Sequence, residues 1–140
     1  MAITAKPIPI GIILPIRDSN TGYFEQSYDT ITQVKSNIIN LLNTKPGERR
    51  MQPTFGCRLW NLVFEQNIDT LEDLAVETIT SDISSWIPNV SVINVSSKLY
   101  KSNQSSTDTD TYQLKISISF MLNLTKQKDA VNITINNIIT

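Results

Sequence analysis

From Tyr112 to Leu124 the chain alternates between apolar and polar residues with a period of two. Tyr112, Leu114, Ile116, Ile118, Phe120, Leu122 and Leu124 interleave with Gln113, Lys115, Ser117, Ser119 and Asn123. This spacing predicts a long β-strand with one buried face, because successive side chains of a strand point to opposite sides of the sheet. Such a face has to be covered by apolar surface from elsewhere in the chain.

Two segments have the helical period that could supply the cover. Ile31, Val34, Ile38, Leu41 and Leu42 recur at helical spacing from about Asp29 to Asn43, with Asp29 or Thr30 placed to cap the first free amides and Pro46-Gly47 to end the helix. Leu71, Leu74, Ala75, Ile79, Ile83 and Trp86 form a second stripe. Asp69 and Glu72 have the spacing of a capping box at its start, and Pro88 bars its extension. Between the two, Leu59, Leu62 and Val63 suggest a short helical turn ending near Glu65.

Val90 to Tyr100 is rich in β-branched residues and reads as a partner strand, with Ile93, Val95 and Leu99 on one face. The polar stretch Lys101 to Asp110 reads as a solvated connection, so the two strands should pair antiparallel. The expected fold is α+β: two amphipathic helices packed on a small, mainly antiparallel sheet, with extended N- and C-terminal arms. Residues 1–28 read as an extended arm and turn. Pro7, Pro9 and Pro15 enforce extended backbone, Asp18 to Gly22 form a turn cluster, and Tyr23 and Phe24 serve as aromatic anchors. Residues 29–124 form the core domain. In residues 125–140, Val131, Ile133 and Ile135 resume the alternation, which fits either a third core strand or a second arm.

Composition narrows the chemistry. At 140 residues the chain suits one domain, and 12 basic against 13 acidic side chains leave a net charge of -1, too little to attract nucleic acid or an anionic membrane. The apolar run from Ile8 to Ile16 is broken by prolines and is shorter than the roughly 18 residues of a membrane span. It lacks a signal-peptide pattern, so the expected setting is soluble and not exported. With no histidine and a single cysteine, Cys57, the chain has no internal disulfide, no Cys/His zinc cluster and no usual base for a nucleophile. No cofactor is expected.

The run Leu41-Leu42-Asn43-Thr44-Lys45-Pro46-Gly47-Glu48-Arg49-Arg50, followed by Pro53-Thr54-Phe55-Gly56-Cys57 and by Leu59 to Phe64-Glu65, has more order than a connecting loop needs. Its pieces and their succession resemble the small baseplate wedge proteins of contractile-tailed phages, a family with a lysozyme-like label. The resemblance extends over about Gly11 to Leu124 and is strongest between Ile38 and Glu65. It implies a non-enzymatic subunit of the virion tail baseplate, made in the host cytoplasm, that joins the inner wedges and gives the contractile sheath its starting platform by strand addition. The implied partners are other baseplate wedge proteins and the tail sheath protein, with tail tube or hub proteins nearby. Glu48, Arg49, Arg50, Pro53, Phe55, Gly56, Leu59, Phe64 and Glu65 are the motif residues. Many family members also have a Glu-Pro-Arg triplet after the second long helix; here Ile87-Pro88-Asn89 stand in its place, so Trp86 and Ile87 suggest an apolar contact where a charged clamp would be.

Each candidate also has a plainer explanation. Glu48 and Glu65 could form a glycosidase pair, but two of 13 acidic residues will flank some loop by chance, and no aromatic-rich cleft is visible. Glu48-Arg49-Arg50 could hold phosphate, although the carboxylate favours a structural ion pair to a neighbouring element, inside the subunit or across an interface. Cys57 reads as a small buried packing residue. The competing functional classes are a free-standing regulatory adaptor of similar fold and a glycan hydrolase.

Overall fold

The computed structural model describes residues 7–20, 22–63, 70–102 and 111–139. The chain is α+β, with three helices and two antiparallel sheets among the described residues. A two-stranded sheet pairs β1 (Gly11–Ile12) with β2 (Gln26–Ser27), and a three-stranded sheet has the order β3 (Val90–Ser102), β4 (Thr111–Leu122), β5 (Lys128–Ile139). Helices α1 (Thr30–Asn43), α2 (Leu59–Val63) and α3 (Leu71–Trp86) lie between them in sequence. Among the described residues no helix is long and apolar enough to cross a membrane.

The alternation that opened the sequence reading becomes β4, the central strand. Leu114, Ile116, Ile118, Phe120 and Leu122 are buried, and they meet Val34, Ile38, Leu41 and Leu42 of α1 and Ala75, Ile79 and Ile83 of α3 in one core. Leu124 departs from the pattern. It lies past the strand in the turn to β5 and is 88% exposed, because Lys126, with φ of 57°, and Leu122, whose carbonyl accepts from the Lys126 N–H, close that turn first.

The segment after Lys126 is a strand of the same sheet. β5 runs antiparallel to β4, with Val131 opposite Ile118 and Ile135 opposite Leu114, and both side chains are buried. Of the two readings left open for this tail, the structure shows the core strand within the chain.

Other expectations need correction. Ile93, expected on one face with Val95 and Leu99, is 51% exposed. A bulge between Val92 and Asn94 inserts one residue, so the inward face runs through Val90, Val92, Val95, Ser97 and Leu99. Leu74, placed on the apolar stripe of α3, is 39% exposed. Asp29 occupies the N-cap of α1 without a side-chain capping bond. Thr70 takes that position in α3, also without one, and Asp69 lies outside the described residues. The Glu72 carboxylate accepts the Leu99 N–H at 2.8 Å, a bond from helix to sheet edge. The polar connection after Lys101 is shorter than expected, since β3 reaches Ser102, and residues 103–110 lie outside the described residues.

The N-terminal segment is extended, but it doubles back. β1 and β2 pair in register Gly11 to Ser27, and the hairpin sits on α1 through the Leu14 N–H donated to Ser36 Oγ (3.1 Å) and the Ser27 hydroxyl donated to Gln33 Oε1. Tyr23, expected as an aromatic anchor, is 90% exposed.

Candidate interface at the signature loop

The loop from Thr44 to Cys57 is built by its own backbone. Thr44 ends α1 with its hydroxyl donated to the Asn40 carbonyl at 2.6 Å, and its own carbonyl accepts the Cys57 N–H at 3.0 Å, which closes the loop at its base. Halfway along, the Gly47 N–H reaches the Pro53 carbonyl at 2.8 Å. This is the role of Pro53: an exposed residue that offers its carbonyl across the loop. Gly56, at φ of 137°, passes so close to the loop's other limb that a Cβ would meet Thr44 O at 2.7 Å and Lys45 C and Pro46 N at 2.8 Å. Glycine is required there on two counts, conformation and space.

Glu48 stays within the loop, its Oε2 accepting the Lys45 N–H at 3.0 Å. Among the described residues Glu48, Arg49 and Arg50 form no ion pair to another element of the chain. The two ion pairs among the described residues are Lys35 with Asp129 and Arg58 with Asp82. Arg49 instead lies over the Phe55 ring at 3.9 Å, and Arg50 is exposed.

Phe55 packs edge-on against Trp86 at the end of α3, with centroids 5.2 Å apart and planes at 68°. Trp86 is followed by Ile87, whose N–H still bonds Ile83 O, and Pro88 then releases the chain into β3. Asn123 in the β4–β5 turn holds this exit by donating its backbone N–H to Asn89 O and its side-chain amide to Pro88 O. Arg49 and Phe55 from the loop, Trp86 to Asn89, and Asn37 and Asn40 of α1 therefore enclose one open groove of about 370 Å³. Residues about 35 positions apart in sequence, assigned to two separate motifs, meet at a single place.

The remaining motif residues do other work. Leu59 is fully buried core. Phe64 and Glu65 lie outside the described residues, so the carboxylate pair Glu48 and Glu65 does too. Cys57 is buried, and loss of solvation pushes its thiol up to about 12. At neutral pH it is an inert packing group, as expected.

Sequence reasoning missed the anchor of this region, Asp82. Its carboxylate is buried on the apolar side of α3 and accepts both the Arg58 backbone N–H (2.8 Å) and Arg58 Nε (2.9 Å), fastening the end of the signature loop to the helix. The Asp82 carboxylate pushes the Arg58 guanidinium up from its ordinary value. A signal was available: position 82 falls beside Ile79 and Ile83 on the buried stripe, where an acid needs a partner.

A family model for baseplate wedge protein gp25 matches residues 29–127 of the chain. The chain belongs to that family. The match spans α1 through the β4–β5 turn, including the whole groove, and leaves out the N-terminal hairpin and all of β5. Membership gives the chain a structural role among phage-tail baseplate proteins. Three solved structures share the fold. A protein described as a tail lysozyme of Geobacter sulfurreducens superposes with a TM-score of 0.63 at 21% identity, over 78% of this chain and 92% of that one. A chain of the anti-feeding prophage baseplate gives 0.58 at 21% identity, over 80% and 83%. One from the baseplate complex of the type VI secretion system gives 0.53 at 13% identity, over 76% and 93%. At these identities the likeness concerns fold alone. No curated protein sequence matches the chain.

Proposed function

We propose that this baseplate protein is a non-enzymatic wedge subunit of a contractile tail. It joins inner wedge proteins through the groove between the signature loop and Ile87-Pro88-Asn89, and it offers the sheet's outer edge on β5 to an arm of the sheath. The observation that carries the reading is the asymmetry of the two sheet edges. On β3 the Leu99 N–H points away from β4 and is already taken by Glu72. Hydrogen-bonding direction alternates along paired antiparallel strands, so Leu114, opposite Leu99, turns its groups toward Ile135 on β5. Positions 130, 132 and 134 of β5 then present their N–H and C=O groups outward. The Ala130 N–H folds back onto Asp129 Oδ1, which leaves the edge at Asn132 and Thr134 for an incoming strand.

The groove suits a protein contact better than a reaction. Its described lining is aromatic, aliphatic and amide in character with one guanidinium, and the Glu48 carboxylate is engaged by its own loop. Trp86 and Ile87, half-buried and flanked by Asn89, replace the family's charged triplet with an apolar contact.

The test is tail assembly in a lysate lacking the chain and complemented with variants, followed by electron microscopy. Asn132→Pro removes one outward N–H from the edge without breaking a bond to β4. It should leave circular dichroism unchanged, retain the chain in baseplates and abolish sheath assembly. Normal sheathed tails from a folded Asn132→Pro protein would refute strand addition on this edge.

A further inference from the structure

The solvent face of the three-stranded sheet has a charge arrangement that groove and edge leave unused. Ser96, Lys98 and Tyr100 of β3 with Lys115 and Ser117 of β4 line a concavity of about 280 Å³. Lys98 and Lys115 are direct cross-strand partners, so two ammonium groups stand opposite each other on exposed sheet. Like charges in that position destabilise a sheet. Lys115 relieves part of the strain by lying over the Tyr100 ring at 4.7 Å. Lys128 adds a third ammonium on the same side, opposite Met121, because its neighbour Asp129 turns to the helix face and pairs with Lys35.

No carboxylate balances them on this face among the described side chains. Asp129 is the one acid in β3, β4 and β5 together, and it points the other way. The acids Glu72, Asp73 and Glu77 belong to α3, across the sheet. Ser119, Asn132 and Thr134 continue the polar character of Ser96 and Ser117, with Met121 and Ala130 among them on the same face. A purely apolar occupant would leave the Lys98 and Lys115 ammonium groups covered and unpaired. A long polyanion such as nucleic acid would extend beyond three lysines onto a molecule of net charge -1.

We infer that this face docks a carboxylate-bearing protein surface of a different subunit in the assembled tail. One or two acidic side chains sit between Lys98 and Lys115, with the Ser96 and Ser117 hydroxyls donating to the same oxygens. The inference rests on the wedge-subunit reading for the presence of that neighbour, and it assigns to the sheet face a contact separate from the strand edge and from the groove.

The test uses intact tails containing the wild-type chain, treated with a water-soluble carbodiimide. That reagent converts an ammonium and a carboxylate in contact into an amide, and peptide mass spectrometry locates the link. The expected result is Lys98 or Lys115 joined to an Asp or Glu of another tail protein. Lys98→Glu should remove the link and lower incorporation by about tenfold or more. It should not lower the melting temperature of the isolated chain, because the repulsive pair with Lys115 becomes attractive while the Lys115 contact to Tyr100 is kept. Tails that carry the chain and give links elsewhere but none at these two lysines would overturn the inference and leave the wedge reading standing. So would links confined to Asp73 or Glu77 of a second copy, or wild-type incorporation of Lys98→Glu. Absence of the chain from tails would refute the wedge reading itself, and the docking face with it.

Discussion

Replacing Gly56 by alanine tests whether the signature loop is as tightly closed as its geometry indicates. The added Cβ would lie 2.7 to 2.8 Å from three backbone atoms of Thr44, Lys45 and Pro46, none of which can rotate away as a side-chain tip could. The backbone at φ of 137° is a region that residues with a Cβ rarely adopt, a strain of about 1–3 kcal/mol. Relieving the clash means parting the loop, which threatens the Cys57-to-Thr44 and Gly47-to-Pro53 bonds, each contributing about 0.5–1.5 kcal/mol. The sum, about 2–6 kcal/mol, is a large share of the roughly 5–15 kcal/mol that holds a domain of ordinary stability. Two internal controls grade the effect. Gly47→Ala meets open space at φ of 93° and should cost only the conformational penalty of about 1–2 kcal/mol. Gly22→Ala has neither a clash nor a positive φ and should be near neutral. Urea denaturation followed by circular dichroism gives the three differences, and tryptophan fluorescence reports whether Phe55 has left Trp86. A Gly56→Ala protein no less stable than Gly22→Ala would refute the close-approach argument.

Phe120→Ala should destabilise by about 3–5 kcal/mol, whereas Ser119→Ala on the other face should cost little; equal losses in chemical denaturation would mean that the strand register is misassigned. Deleting Val131 to Thr140 should abolish folding, read as loss of a cooperative melt, because it strips Val131 and Ile135 from the core; a folded truncation would make the tail dispensable. Cys57 should resist iodoacetamide at pH 8 in the native protein and react once urea unfolds it. Its folded value of about 12 lies above the ordinary 9.0, so the thiol's contribution is fully present below pH 9 and is lost as pH rises toward 12. Cys57→Ala should flatten that part of the alkaline stability curve, and an unchanged slope would contradict the buried-thiol assignment.

The sequence by itself determined the elements and most of the core. Period-two alternation between Tyr112 and Leu124 and helical stripes at Ile31 to Leu42 and Leu71 to Trp86 are local patterns, and burial follows from them because each element can hide only one face. Pro46-Gly47 and Pro88 marked the ends of α1 and α3 for equally local reasons. Only the tertiary structure decided where polar groups found partners. Asp82 meets Arg58 at a separation of 24 residues, and the Glu72 carboxylate reaches Leu99, 27 residues away. The bulge that turns Ile93 outward, the end of β4 before Leu124 and the return of residues 128–139 as the third strand depend on what lies opposite each position. The convergence of Phe55 with Trp86 has the same origin. Periodicity is a property of one segment, while a hydrogen bond, an ion pair or a groove belongs to two, and their joining is set by how the helices settle on the sheet.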